Sequence, residues 1–250
     1  MQKFRGFSIL FLFLVFTFLQ LPFVLANPVK IKKLKNHFPN NEISNKSVNN
    51  TIHSEHKKSV YDSLQLADWG LSHAAFEYAR QGFDELVDEG KVHNDSILTI
   101  ADFSLPSSEK RLFVIDLKNY TVLFNTYVAH GQNSGKAMAS SFSNANSSHK
   151  SSLGFYVTGQ TYQGKNGYSL QLIGLENGIN DNAMERTIVM HGADYVSAAF
   201  VRMQGYIGRS WGCPAIPKEK SQAIINTIKN GSCLFIYHPQ YIAQSTILQS

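Results

Sequence analysis

From position 97 onward the chain is a series of short runs rich in valine, isoleucine, leucine, phenylalanine, tyrosine and threonine, each stopped by glycine, asparagine or serine. No other feature limits the fold as much. Runs at 97–103, 111–117, 122–129, 153–158, 169–173, 187–190 and 233–237 are bounded by turn formers and read as strands. The segment before them has a different period. Leu64, Ala67, Leu71, Ala74, Ala75 and Tyr78 recur at helical spacing, Gly82 supplies a stop, and a second short helix is expected over 83–89. One later helix is expected at 218–229, introduced by Pro217 and closed by Asn230-Gly231, with proline at the start and glycine past the end. The expected class is mainly β, with helices at the N-terminal side and one helix near the C-terminus.

A chain of 250 residues with 43% apolar content can fill a real core. Residues 1–26 combine a basic start (Lys3, Arg5), an apolar stretch over 7–19 and the small-residue site Val24-Leu25-Ala26, which together read as a secretory signal peptide. The mature chain would begin at Asn27. A retained anchor is the alternative, although the apolar stretch is short for a bilayer span of about 20 residues. The expected location is therefore outside the cytoplasm, in the periplasm or cell envelope, with membrane contact only through the cleaved leader. Residues 27–60, with Lys30, Lys32, Lys33 and Lys35, cannot bury enough apolar surface to offset chain entropy and read as a flexible basic linker. The expected organisation continues with a helical extension at 61–95, a catalytic domain at 96–240 and a tail at 241–250. A net charge of +5 suits an anionic envelope. Nucleic acid is excluded as a partner by export and by the absence of interleaved aromatics in the basic run. Nothing in the sequence sets an oligomeric state.

The chemistry concentrates between 188 and 216. An apolar Ile188-Val189-Met190 run leads into His191-Gly192, and 22 positions later (213 − 191) Cys213 stands in Gly208-Arg209-Ser210-Trp211-Gly212-Cys213-Pro214. A cysteine in a glycine-flanked loop with a strand-end histidine upstream suggests a thiolate nucleophile activated by imidazole. Free cysteine titrates near pH 8.5, so a proton acceptor or a positive field must raise the reactive fraction. His191 supplies the first, and the N-terminus of the helix expected at 218 would supply the second. The amides of Trp211, Gly212 and Cys213 could converge on a developing oxyanion. Arg209 either adds field and binds a carboxylate or is structural. A disulfide between Cys213 and Cys233 is the competing reading of the thiol, although Cys233 opens an apolar strand and fits the core. His130 is the rival base or a substrate contact, because Ala129-His130-Gly131 also ends an apolar strand. Glu176, Asn180, Asp181 and Arg186 fit loop-stabilising salt bridges and turn bonds better than ligand recognition. Tyr156, Tyr162 and Tyr168 suit a pocket wall or sheet packing. No metal site is expected: close ligand pairs are missing, and His53 and His56 lie in the linker. No phosphate loop and no cofactor are expected either.

These residues resemble the murein L,D-transpeptidase catalytic domain, in the divergent branch with Gly-Arg-Ser-x-Gly-Cys-Pro at the nucleophile. The likeness extends to Asp102-Phe103-Ser104, Lys110-Arg111-Leu112, Ala129-His130-Gly131-Gln132-Asn133-Ser134-Gly135, 151–156 and 174–181. It implies a β-sandwich-like catalytic domain acting on peptidoglycan stem peptides. The cysteine would attack the bond between a third-position diaminopimelate and a terminal D-alanine, release D-alanine and hold the stem as a thioester. An amine acceptor gives a cross-link and water gives trimming; a non-catalytic murein-binding module is the other class. The resemblance makes Cys213 the nucleophile, His191 its proton acceptor and Gly192 the residue whose carbonyl orients the imidazole. Arg209, Ser210, His130 and Tyr156 are the expected substrate contacts. Trp211 stands where the wider family carries a second histidine, so that histidine's side-chain task is in doubt.

Overall fold

The computed structural model describes residues 59–249. The expected leader and the linker through 58 lie outside the described residues. The Ser59 side chain caps α1 (Val60–Ser63) by accepting from the Asp62 amide. A series of turns then leads to α2 (His73–Asp88), capped by the Ser72 hydroxyl on the Ala75 amide.

Here the expectation of two short helices is corrected, because α2 runs unbroken through Gly82. That glycine is a contact site. A Cβ there would lie 2.1 Å from Cζ of Phe155, so a hydrogen lets the ring press against the helix. Ala75, Phe76, Ala79, Phe83 and Leu86 form the buried stripe of α2, and the helix packs on β1 (Ile97–Asp102) and β8 (Cys233–Tyr237).

The remaining strands are β2 (Leu112–Asp116), β3 (Thr121–Thr126), β4 (Gly154–Gly164), β5 (Gly167–Gly174), β6 (Val189–Ala193) and β7 (Ala215–Pro217). All eight join one sheet in the order β3-β2-β1-β8-β4-β5-β6-β7. The mainly β expectation is met. Antiparallel pairing dominates, while β1 with β8 and β6 with β7 run parallel. Strands β1 and β8 are buried along their whole length and read as mostly apolar runs, broken in β1 by Thr99 and Asp102, as strands covered on both faces do. Phe155 stacks on Phe235 at 4.2 Å in the middle of the core, and Tyr241 meets both rings edge-on.

The two ends of the sheet meet. The chain leaving β3 crosses to β7, where the Ala129 amide donates to the Ala215 carbonyl at 2.8 Å, and Gly131 then bridges Ser210. The sheet is thereby drawn almost into a barrel. A small second core of Ala129, Ala193, Val196, Ile207 and Ala215 fills this seam beside α3 (Ala198–Gln204). Helix α4 (Lys218–Ile228) follows β7 directly and buries Ile224, Ile225 and Ile228. Past β8, the segment expected as a tail is pinned through α5 (Pro239–Ile242). The Tyr241 hydroxyl and the Ser245 hydroxyl both donate to buried Glu176, at 2.5 and 2.8 Å. Among the described residues no helix is long and apolar enough to cross a membrane.

Candidate active site

Strand register places the cysteine. In the parallel β6–β7 pair, His191 lies opposite Ala215, an offset of 24 (215 − 191), so Cys213 falls beside Val189 just before β7 begins. Its Sγ approaches the Thr187 carbonyl at 3.8 Å and receives the Val189 amide. Both cysteines are free, with Cys233 fully buried in β8, so the disulfide reading does not hold. Cys213 and His191 line one open cleft of about 1260 Å³.

The thiol is not in the electrostatic setting expected of it. Burial pushes its pKa up, and the Val189 amide and the Arg186 guanidinium pull it only part of the way back. Helix α4 starts at Lys218, five positions beyond the cysteine (218 − 213) and on the far side of β7. His191 is shifted the other way: burial pushes its pKa down, partly offset by its bond to Gly192. Its Nδ1 lies 3.1 Å from the Gly192 carbonyl, which can only accept, so Nδ1 carries the proton and Nε2 has a free lone pair. The resting pair is thus a neutral thiol and a neutral imidazole able to receive a proton.

The loop carrying the cysteine is held from several sides. The Ser210 hydroxyl donates to the Cys213 carbonyl at 2.6 Å and accepts the Gly212 amide at 3.0 Å. The Ser151 hydroxyl donates to the Gly212 carbonyl at 3.0 Å. The expected oxyanion donors are therefore narrowed: the Gly212 amide is spent on Ser210, while the Trp211 amide has no acceptor among the described residues. Ser210 itself, expected to touch substrate, closes this turn. Arg209 lines the cleft and also donates to the Gly135 carbonyl at 3.0 Å and the Gln132 carbonyl at 3.3 Å, tying down the neighbouring loop.

Two expected contacts are corrected. His130 is fully buried and forms no part of the cleft wall. Arg111 Nη2 donates to its Nδ1 at 2.7 Å, and its Nε2 lies 3.3 Å from the Gly135 carbonyl. Burial, with the Arg111 charge, pushes its pKa down to about 3, so neither ring nitrogen is available as a base. Tyr156 is likewise fully buried, with its hydroxyl donating to the Ser152 carbonyl at 3.1 Å. Tyr162, by contrast, lines the cleft.

The L,D-transpeptidase catalytic domain model matches residues 67–237. The chain belongs to the L,D-transpeptidase catalytic domain family. No curated protein matches it. Among solved structures, it is similar to LD transpeptidase LdtMt1 in complex with imipenem (12% identity, 57% of this chain and 59% of that one, TM-score 0.35). It is similar also to an L,D-transpeptidase from Mycobacterium smegmatis (12%, 57% and 59%, 0.36). A third is the helical cell shape determining protein Pgp2 from Campylobacter jejuni (13%, 63% and 53%, 0.38). The chain spans 59% of the length of the first two of these structures.

One residue of this L,D-transpeptidase domain stands out although its sequence position suggested only a loop salt bridge. Arg186 forms no ion pair among the described residues. Its guanidinium is half-buried in the cleft wall and donates to four neutral acceptors: the Ser143 and Lys150 carbonyls and the Ser152 and Ser148 hydroxyls, at 2.9, 2.6, 2.5 and 3.3 Å. It underlies the cysteine loop, since a Cβ on Gly212 would meet its Nη2 at 3.3 Å. The other residues of this group are structural, as the sequence favoured. Glu176 and Asn180 are buried, and Asp181 accepts from Asn144 and the Gly178 amide. Among the described residues no group of three or more His, Cys, Asp or Glu is placed to hold a metal ion.

Proposed function

We propose that the protein is an exported cysteine L,D-transpeptidase acting on peptidoglycan stem peptides through a thioester on Cys213. The observation that carries the reading is the meeting of Cys213 and His191 in one cleft, with the imidazole held by the Gly192 carbonyl so that Nε2 can take a proton. Membership of the L,D-transpeptidase domain family and the leader-like residues 1–26 support it further.

In this mechanism Sγ attacks the carbonyl carbon of the third-position diaminopimelate as its proton passes to His191 Nε2. The oxyanion forms near the Trp211 amide and the loop's remaining N–H groups, in the field of Arg186. Collapse of the intermediate breaks the bond to D-alanine, and His191 returns the proton to the departing amine. A diaminopimelate amine of a second stem then attacks the thioester and gives up its proton to His191; the C–S bond breaks, the departing Cys213 sulfur takes that proton back, and a cross-link between third-position residues remains. The shifts of the two groups fit base catalysis at the moment of attack, because the thiol keeps its proton until His191 removes it.

The test is intact-protein mass spectrometry with a carbapenem. Wild type gains one adduct that maps to Cys213, and Cys213→Ala gains none; absence of an adduct on folded wild type overturns the reading. Product analysis of stem tetrapeptides, with and without an amine acceptor, then distinguishes cross-linking from trimming by water. A murein-binding module would hold sacculi equally well after Cys213→Ala and take no label.

A further inference from the structure

Trp211 lies two positions before the cysteine and is 68% exposed. Its indole is parallel to the ring of His149, with planes 13° apart and centroids at 5.0 Å. The stack covers part of one face of the indole, and the exposure of the residue leaves much of the ring open where it lines the cleft. His149 is fixed by more than the stack. Its backbone sits at φ +53°, a left-handed conformation that costs a non-glycine residue free energy and persists only where the surroundings enforce it. Gln132 Nε2 also donates to its Nδ1 at 3.1 Å. A strained backbone, a hydrogen bond and a ring stack therefore hold an exposed aromatic surface next to the thiol. Tyr162, 41% exposed, lines the same cleft.

The surrounding groups limit what that surface can bind. Asn146, Lys165, Asn166 and Glu185 also line the cleft, so a flat apolar face shares it with amides, an amine and a carboxylate. A lipid chain would need a continuous apolar wall, which these groups interrupt. An extended peptide would need backbone partners that an indole face lacks. A pyranose ring suits the arrangement, because one face presents only C–H groups to the aromatic ring while its edge carries hydroxyl and acetamido groups to the polar border. The volume agrees: about 1260 Å³ exceeds the roughly 300–1,000 Å³ that a small ligand occupies, and leaves room for a sugar beside the peptide at the sulfur. We infer that the Trp211–His149 stack is a subsite for a pyranose ring of the glycan to which a stem peptide is attached. The inference deepens the proposed function and rests on it.

The experiment compares one stem tetrapeptide as donor in two forms, free and linked to its disaccharide. The readout is the ratio of kcat/KM for the linked over the free form, which cancels any loss common to both. Wild type favours the linked donor. Trp211→Ala lowers the ratio about tenfold, mainly through KM, which corresponds to roughly 1.4 kcal/mol of binding; His149→Ala lowers it less, and Trp211→Phe keeps most of it. A wild type indifferent to the sugar, or a ratio unmoved in Trp211→Ala, overturns the inference. Carbapenem labelling of Cys213 keeps the two readings apart: label without sugar preference defeats the subsite alone, and absence of label on folded wild type defeats the parent reading. Titration of Cys213→Ala with the peptide-free disaccharide, followed by tryptophan fluorescence, gives a readout independent of turnover. Saturable quenching that Trp211→Phe alters supports the subsite, and a flat titration overturns it.

Discussion

Replacing Gly212 by alanine separates the cost of the cysteine loop's shape from that of the fold. Gly212 sits at φ +122°, and an added Cβ would lie 2.8 Å from the Lys150 carbonyl oxygen, 3.2 Å from Ile188 Cδ1 and 3.3 Å from Arg186 Nη2. A backbone conformation of this kind costs a residue with a side chain about 1–3 kcal/mol, and crowding of a packed site costs about as much again. The sum is about 2–6 kcal/mol, and it must appear somewhere. If the loop holds its shape, the fold bears the cost, and at roughly 2–4 °C per kcal/mol for a domain of this size the melting temperature falls by about 4 °C or more. If the loop gives way, Cys213 leaves its place beside Val189, and even the lower bound of about 2 kcal/mol slows acylation roughly 30-fold. The assay is the rate of carbapenem adduct formation by intact mass, with a thermal melt on the same sample. Gly90→Ala is the control: φ is +70° with nothing within 4 Å of the new Cβ, so it carries backbone strain alone and leaves acylation unchanged. Wild-type acylation together with a wild-type melting temperature in Gly212→Ala would refute the reasoning.

Gly82→Ala should lower stability in a urea titration, because crowding on Phe155 at about 1–3 kcal/mol outweighs the ~1 kcal/mol gained in helix propensity; a raised midpoint would contradict it. Arg186→Met should push the Cys213 thiol pKa further up and slow its alkylation by iodoacetamide at neutral pH several-fold, with Arg186→Lys in between, since the guanidinium now pulls that pKa down; equal rates in all three remove Arg186 from the account. Carbapenem acylation should stay level as pH falls through His191's ordinary value near 6.5 and decline only below it, because burial holds the imidazole neutral; a decline centred above 6.5 counts against His191 as base. His130 has a folded pKa of about 3, so its contribution is complete above about 6.5 and is lost as pH falls toward 3, up to about 5 kcal/mol in all. Urea midpoints at pH 7, 5 and 4 should decline in that order, and a flat series would disprove it.

The strands were legible where β-branched and aromatic residues fill a run between turn formers, as in 97–103 and 233–237. Strand β7 was not, because three residues ending in proline become a strand only by pairing with β6, a partner set by the whole sheet. Helix α3 was missed for a related reason: it buries none of its residues, so no apolar stripe marks it. Gly82 shows the opposite error, a glycine taken for a stop when its reason is a ring arriving from β4. At the site, Cys213 and His191 carried their own flags in the glycine-flanked loop and the strand end. His130 carried the same flag as His191, and what separates them is Arg111, nineteen positions away (130 − 111), which the β2–β3 pairing lays against it. Arg186 had no flag, because the aim of its guanidinium depends on the loop at 143–152 and on nothing adjacent in the chain.

The bridge between Ala129 and Ala215 has a consequence for when this molecule can work. It ties the β3 edge of the sheet to the opposite edge strand, β7, and Cys213 sits two residues from that knot (215 − 213). Contacts between such distant parts of a chain come late, after shorter loops have closed. In a chain only half-folded, β6 and β7 would already set the sulfur near the imidazole, but the cysteine loop would lack the grip that Gly131 and Gln132 give it from across the seam.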